Sequence, residues 1–136
     1  MKSRVVAVAV IEKGGSVLLG KKPPGVGPYP DCWHVPGGGI HLEDESIEQA
    51  LKREIMEETG LKVKDIKKIS FDEDYEPDKH GEKTHYVFLV YCCKWASGTP
   101  KAGDDLNTLQ WVEKAKLKGF TLTRPSQKLF KEIGWV

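Results

Sequence analysis

The sequence predicts an α/β sandwich, on three observations. β-type runs lie on both sides of one well-marked helix, a second helix closes the chain, and no repeat, low-complexity tract or linker divides it. Its 136 residues are the size of one domain that can bury a core without disulfides or a structural metal. With 39% hydrophobic and 30% charged residues, the composition is that of a soluble globular protein.

Taken in order, residues 5–11 and 16–20 are two β-type runs joined by Gly14-Gly15, a hairpin signal. The first run follows Lys2 and Arg4 and faintly imitates a signal peptide. It is short and lacks a small-residue cleavage site, so it reads as a strand. Residues 21–30 carry four prolines and two glycines, which forbid helix and central strand and predict a long loop. Trp33-His34-Val35-Pro36 then leads into Gly37-Gly38-Gly39. Residues 46–58 form a helix, with Ser46 as N-cap, Gln49 completing a capping box, and Gly60 as the stop. A strand at 64–71, an acidic loop at 72–82 and a buried central strand at 84–93 follow. A turn region covers 96–105 and a short strand 109–112. Arg124-Pro125-Ser126 opens the last helix, running to Ile133.

Composition excludes several classes. No apolar stretch approaches the roughly 18 residues that span a membrane. Cys32, Cys92 and Cys93 have no metal-type spacing and read as small buried thiols in a reducing cytoplasm. His34, His41, His80 and His85 have no mutual spacing that points to zinc. The net charge of +1 speaks against a general nucleic-acid binder. That total hides an uneven distribution. Positions 43–58 carry −5, positions 72–82 another −5, and the rest +11. The surplus of lysine around two acidic patches could attract phosphates.

The helix is the informative element. At about 100° per residue, Ile47, Ala50, Leu51 and Ile55 make one apolar stripe. Glu54 and Glu58 fall within that stripe and Glu57 at its edge. A solvated acidic face would instead lie opposite the stripe. The three acids repel one another at i,i+3 and i,i+4 and sit where the helix dipole disfavours anions. Burying them is costly unless they are paired or hold a cation. Hard divalent ions such as Mg²⁺ take carboxylate oxygens, so the spacing points to a metal site. The run Gly37-Gly38-Gly39 lets the backbone approach a ligand or metal closely and gives this site a plausible wall.

Residues 39–61 read Gly39, five residues, Glu45, seven residues, then Arg53-Glu54-Ile55-Met56-Glu57-Glu58-Thr59-Gly60-Leu61. This segment resembles the Nudix box at every defining position. The resemblance implies a single Nudix hydrolase domain over 1–136, folded as an α/β/α sandwich with a mixed β-sheet. It implies hydrolysis of a diphosphate linkage in a nucleoside diphosphate derivative, with Mg²⁺ as cofactor and Mn²⁺ as substitute. It implies that Glu54, Glu57 and Glu58 ligate metal with the Gly39 carbonyl, that Arg53 orients the glutamates, and that Glu54 is a candidate base. Glu45 would support the loop–helix turn. Many members add an acid from a loop before the last strand; here Asp105 is preferred to Asp104, with a turn role as the alternative.

Outside the box, Lys22 ends a strand where it meets either a phosphate or solvent. Gly38 borders the ligand space. Trp33 and Tyr29 flank the Pro-rich loop, where a ring either stacks on a base or packs in the core. The short chain resembles the MutT-type members that act on nucleoside triphosphates. ADP-ribose or nucleotide-sugar hydrolysis, a non-catalytic nucleotide-binding module and an RNA-decapping member are the rival readings. The expected partner is a small-molecule nucleotide, with neither membrane nor nucleic acid, for a cytoplasmic monomer or homodimer.

Overall fold

A computed structural model describes residues 1–103 and 106–136. The elements are β1 (Lys2–Lys13), β2 (Ser16–Lys21), β3 (Trp33–His34), β4 (Gly37–Gly39), α1 (Ile47–Thr59), β5 (Lys62–Pro77), β6 (Lys83–Ser97), β7 (Thr108–Glu113), a 3-10 helix (Lys114–Gly119) and α2 (Arg124–Glu132). The strands form one mixed sheet with the path β3-β2-β1-β6-β5; β4 pairs with β1 and β7 with β2. β1 and β6 run parallel over almost the whole of β1, and the other pairings are antiparallel.

The alternation of side chains along β1 builds the two faces. Ala7, Ala9 and Ile11 join Leu51, Ile55 and Leu61 under α1. Val8 and Val10 join Leu129 and Phe130 under α2. The sheet is therefore covered by one helix on each face, as the sequence predicts. Cys92 and Cys93 fall on opposite faces for the same reason.

β1 and β2 pair only at Glu12–Val17 and Lys13–Ser16, and then part. Into the gap go two short strands from consecutive residues: β3 pairs with the far end of β2, and β4 with Val6–Val8 of β1. A run of three glycines has no intrinsic strand preference, so β4 is an element that local reading misses. It exists because β1 offers it a partner.

The predicted acidic loop at 72–82 is instead mostly strand. β5 continues to Pro77, and residues 72–77 pair with 83–88 of β6. The acids are tolerated on this edge strand because Asp72 meets Lys128 at 2.9 Å, while Asp74 and Glu76 meet Arg124 at 3.1 and 2.6 Å. Only residues 78–82 turn, with the Asp78 carboxylate accepting the backbone N–H of His80 and Glu82. β6 likewise runs further than the predicted 84–93.

Candidate functional site

α1 starts and stops where the sequence places it. The Ser46 hydroxyl accepts the N–H of Gln49 at 3.1 Å, and the Gln49 side chain accepts the N–H of Ser46 at 2.9 Å. Gly60 closes the helix at φ 73°, donating its N–H to the Met56 carbonyl. These caps fix the helix register and hence which glutamates face inward. Glu54 and Glu58 are 7% and 6% exposed, and the Glu57 side chain is 46% exposed.

β4 receives the buried pair. The Gly37 N–H donates to Glu58 Oε1 at 2.8 Å. A Cβ on Gly38 would stand where the Glu54 carboxylate is, so only glycine lets that carboxylate lie against the strand. Arg53 spans the remaining acids. It donates from Nη1 to Glu54 at 2.8 Å and to Glu57 at 3.3 Å, and from Nε and Nη2 to Glu45. Arg53 lies next to Glu54 in sequence, one turn before Glu57 and two turns after Glu45, so a single guanidinium orients all three. The carboxyl of Glu45 is held below its ordinary range by that guanidinium, and the Arg53 pKa is raised in turn, chiefly by Glu45.

Glu54 and Glu58 open on a cavity of about 370 Å³ between β1, β4, the Pro-rich loop, the turn at 78–82 and the start of α2. Its inner wall is apolar, with Val6, Val8, Phe88 and Leu129. Lys22 lines it and donates from Nζ to the Pro28 carbonyl at 3.2 Å. Tyr29 lines it too: its hydroxyl donates to Asp74 at 2.6 Å and the Arg124 guanidinium lies 5.2 Å over its ring. Burial and the Asp74 carboxylate push the Tyr29 phenol far above its usual range. Tyr29 thus ties the Pro-rich loop to β5 and α2.

The predicted residues divide as follows. Gly38, Gly39, Glu54, Glu58 and Lys22 share the cavity wall, with Arg53 and Glu57 directly beside them. Trp33 does not line the cavity. It packs edge-to-face on Phe120 at 5.4 Å and joins the α2-side core, because its place on β3 turns the ring away from the loop. Of its two expected fates, base stacking or core packing, the described structure shows core packing. Asp105 and Asp104 lie outside the described residues. Among the described residues, no three carboxylate, imidazole or thiolate groups converge as a ready metal cage. The donor set nevertheless suits a hard divalent cation: it is all oxygen and anionic, and two of its carboxylates, Glu54 and Glu58, are buried.

Two cavity residues escaped the sequence reading. Arg4 shares a face of β1 with Val6 and Val8, which period-two alternation could have shown. The His34 ring lines the cavity, and its Nδ1 lies 2.9 Å from the Val35 carbonyl. Since a carbonyl only accepts, Nδ1 carries the proton and Nε2 is a bare acceptor. Nε2 is buried without a hydrogen-bond partner among the described residues. That burial holds His34 down to about 4, so it is neutral at physiological pH.

The NUDIX domain family matches residues 1–133. The nucleoside triphosphatase NudI of Escherichia coli K12 is 29% identical, with 98% of this chain and 99% of the relative covered. The NudI of Enterobacter sp. strain 638 is 27% identical with the same coverage. The crystal structure of a MutT NUDIX hydrolase from Burkholderia pseudomallei superposes with a TM-score of 0.82 at 27% identity, covering 98% of this chain and 99% of that one. The NUDIX domain of Shewanella oneidensis NrtR, solved with ADP ribose, shares the fold at a TM-score of 0.77 and 20% identity, covering 98% and 87%.

Proposed function

The chain belongs to the Nudix family, and from that premise we propose that it is a nucleoside triphosphate pyrophosphohydrolase with its site at the junction of α1 and β4. As a Nudix hydrolase it cleaves a diphosphate P–O–P linkage, and the family generally uses divalent metal ions. The observation that carries the site assignment is the pair of buried carboxylates, Glu54 and Glu58, seated against a glycine strand on the wall of one cavity. Burying carboxylates is costly unless they are paired, hydrogen-bonded or holding a cation, and here Arg53 and the Gly37 N–H hold one oxygen of each.

Glu54, Glu57 and Glu58, with the Gly39 carbonyl, would hold Mg²⁺ or Mn²⁺. When bound, such an ion supplies charge neutralisation to the diphosphate and its leaving group, and acidifies the attacking water. The chain's own residues do the rest. Arg53 orients Glu54 and Glu57. Glu54, buried at the wall, is placed to take a proton from water. Lys22 and Gly38 border the substrate. The domain over 1–136 acts on a small nucleotide as a monomer or homodimer in the cytoplasm, where Cys32, Cys92 and Cys93 are free thiols. Among the described residues, no helix is long and apolar enough to cross a membrane.

Nucleoside triphosphates are favoured by likeness to the NudI and MutT relatives, matched over nearly their full lengths. The test is turnover of nucleoside triphosphates, dinucleoside polyphosphates, ADP-ribose and nucleotide sugars with Mg²⁺ and Mn²⁺, with products read by mass. Release of pyrophosphate and a nucleoside monophosphate is expected. Faster cleavage of ADP-ribose than of any triphosphate would overturn the substrate assignment. Binding with no turnover of anything would indicate a non-catalytic module.

A further inference from the structure

We propose that Arg4 binds the phosphate chain of the substrate, and that Gly39 is a glycine in order to admit its guanidinium. This rests on the nucleotide reading above and assigns a residue outside the Nudix box to it. Arg4, Val6 and Val8 project from the same face of β1 into the cavity, with the charged residue outermost. Gly39 pairs with Val6, and a Cβ on Gly39 would collide with Nη2 and Nε of Arg4, at 2.5 and 2.7 Å. The Glu54 carboxylate occupies the corresponding space at Gly38. A guanidinium and a carboxylate therefore lie over successive residues of one narrow strand, on its two sides, and both reach the cavity.

Among the described residues Arg4 makes no ion pair, although Glu54 and Glu58 line the same cavity. Lys2, one strand repeat away on the same face, is already held by Asp78 at 2.5 Å and by Glu82 at 3.3 Å. Arg4 is thus a cation beside an acid cluster that it does not neutralise. A polyphosphate fits that arrangement: one part of its chain faces the acids through a divalent ion, and another takes the guanidinium fork directly. Arginine suits this role because its planar donors match two phosphate oxygens at once.

The test measures binding of the α,β-methylene analogues of the four nucleoside triphosphates to the intact chain by calorimetry, with Mg²⁺ present. The phosphate-free nucleosides serve as controls. Arg4→Met should weaken the analogues roughly tenfold or more, the loss expected for a charge-assisted hydrogen bond, and leave nucleoside affinity unchanged. Arg4→Lys should recover part of the loss. Gly39→Ala, which pushes the guanidinium aside, should weaken the analogues in the wild-type background and add nothing further to Arg4→Met. Equal analogue binding by Arg4→Met and wild type would overturn the proposal, as would an equal loss of nucleoside binding. Turnover of natural triphosphates judges the parent reading separately. A wild-type enzyme that hydrolyses them while Arg4→Met binds normally keeps that reading and refutes this one; a wild type that neither hydrolyses nor binds them refutes both.

Discussion

At the scale of single residues, the site is a contest for space and charge around β4. Gly38 is the clearest case. Its missing Cβ is filled by the Glu54 carboxylate, so Gly38→Ala should displace that carboxylate and lower turnover by orders of magnitude, about as much as Glu54→Gln. Gly15→Ala, which meets nothing within 4 Å, should be silent in the same assay. The glycine run and the acids were both legible in the sequence. Their contact was not, because strand β4 is created by pairing with β1, and only that pairing brings Gly38 against α1. His34 carries a second prediction. Held down to about 4 in the fold and near its ordinary value of about 6.5 when unfolded, it binds a proton in the unfolded chain first. Stability from this residue is therefore full above about pH 6.5 and lost as pH falls towards 4. The loss is on the order of 3 kcal/mol at most, set chiefly by burial, with the Lys22 charge as a smaller contributor to the same shift. Denaturant titrations between pH 4 and 7 should show a shallower fall for His34→Gln than for wild type.

At the scale of elements, α1 was fully readable because its signals are local. Ser46, Gln49 and Gly60 are the caps the sequence advertises, and Glu54 and Glu58 occupy the inward stripe as the 3.6-residue period requires, with Glu57 at its edge. Ser46→Ala should cost roughly 1 kcal/mol in a chemical denaturation experiment, since it removes the hydroxyl that accepts the Gln49 N–H. Strand β5 was readable only in its first half. Asp72, Asp74 and Glu76 have poor strand propensity, yet they lie in strand because Lys128 and Arg124 of α2 reach across to them. Those partners lie about fifty residues downstream, beyond the reach of any local pattern. Trp33 was left between stacking and core packing for a related reason: proximity in sequence to the Pro-rich loop says nothing about which side of β3 its ring takes.

At the scale of the whole molecule, the sandwich follows from β1 being apolar on both faces, with Ala7, Ala9 and Ile11 under one helix and Val8 and Val10 under the other. Such a strand demands a layer on each side, and that much was visible in a continuous apolar run. The parting of β1 and β2 was not visible, and it is what opens the sheet for β3 and β4 and sets the cavity beside α1. The neutral total charge also resolves into geography. Of the 43–58 acids, Glu54 and Glu58 line the cavity, while Asp72, Asp74 and Glu76 pair with α2 and Asp74 braces the loop through Tyr29. The proposed hydrolysis of a diphosphate stands or falls with Glu54, Glu57 and Glu58 as holders of a divalent ion. The most direct test is Mn²⁺ binding followed by electron paramagnetic resonance, in wild type, Glu54→Gln and Glu57→Gln. Each substitution should weaken Mn²⁺ at least about tenfold, the cost of losing one charged ligand, while circular dichroism stays unchanged. Mn²⁺ bound equally well by all three proteins would contradict it.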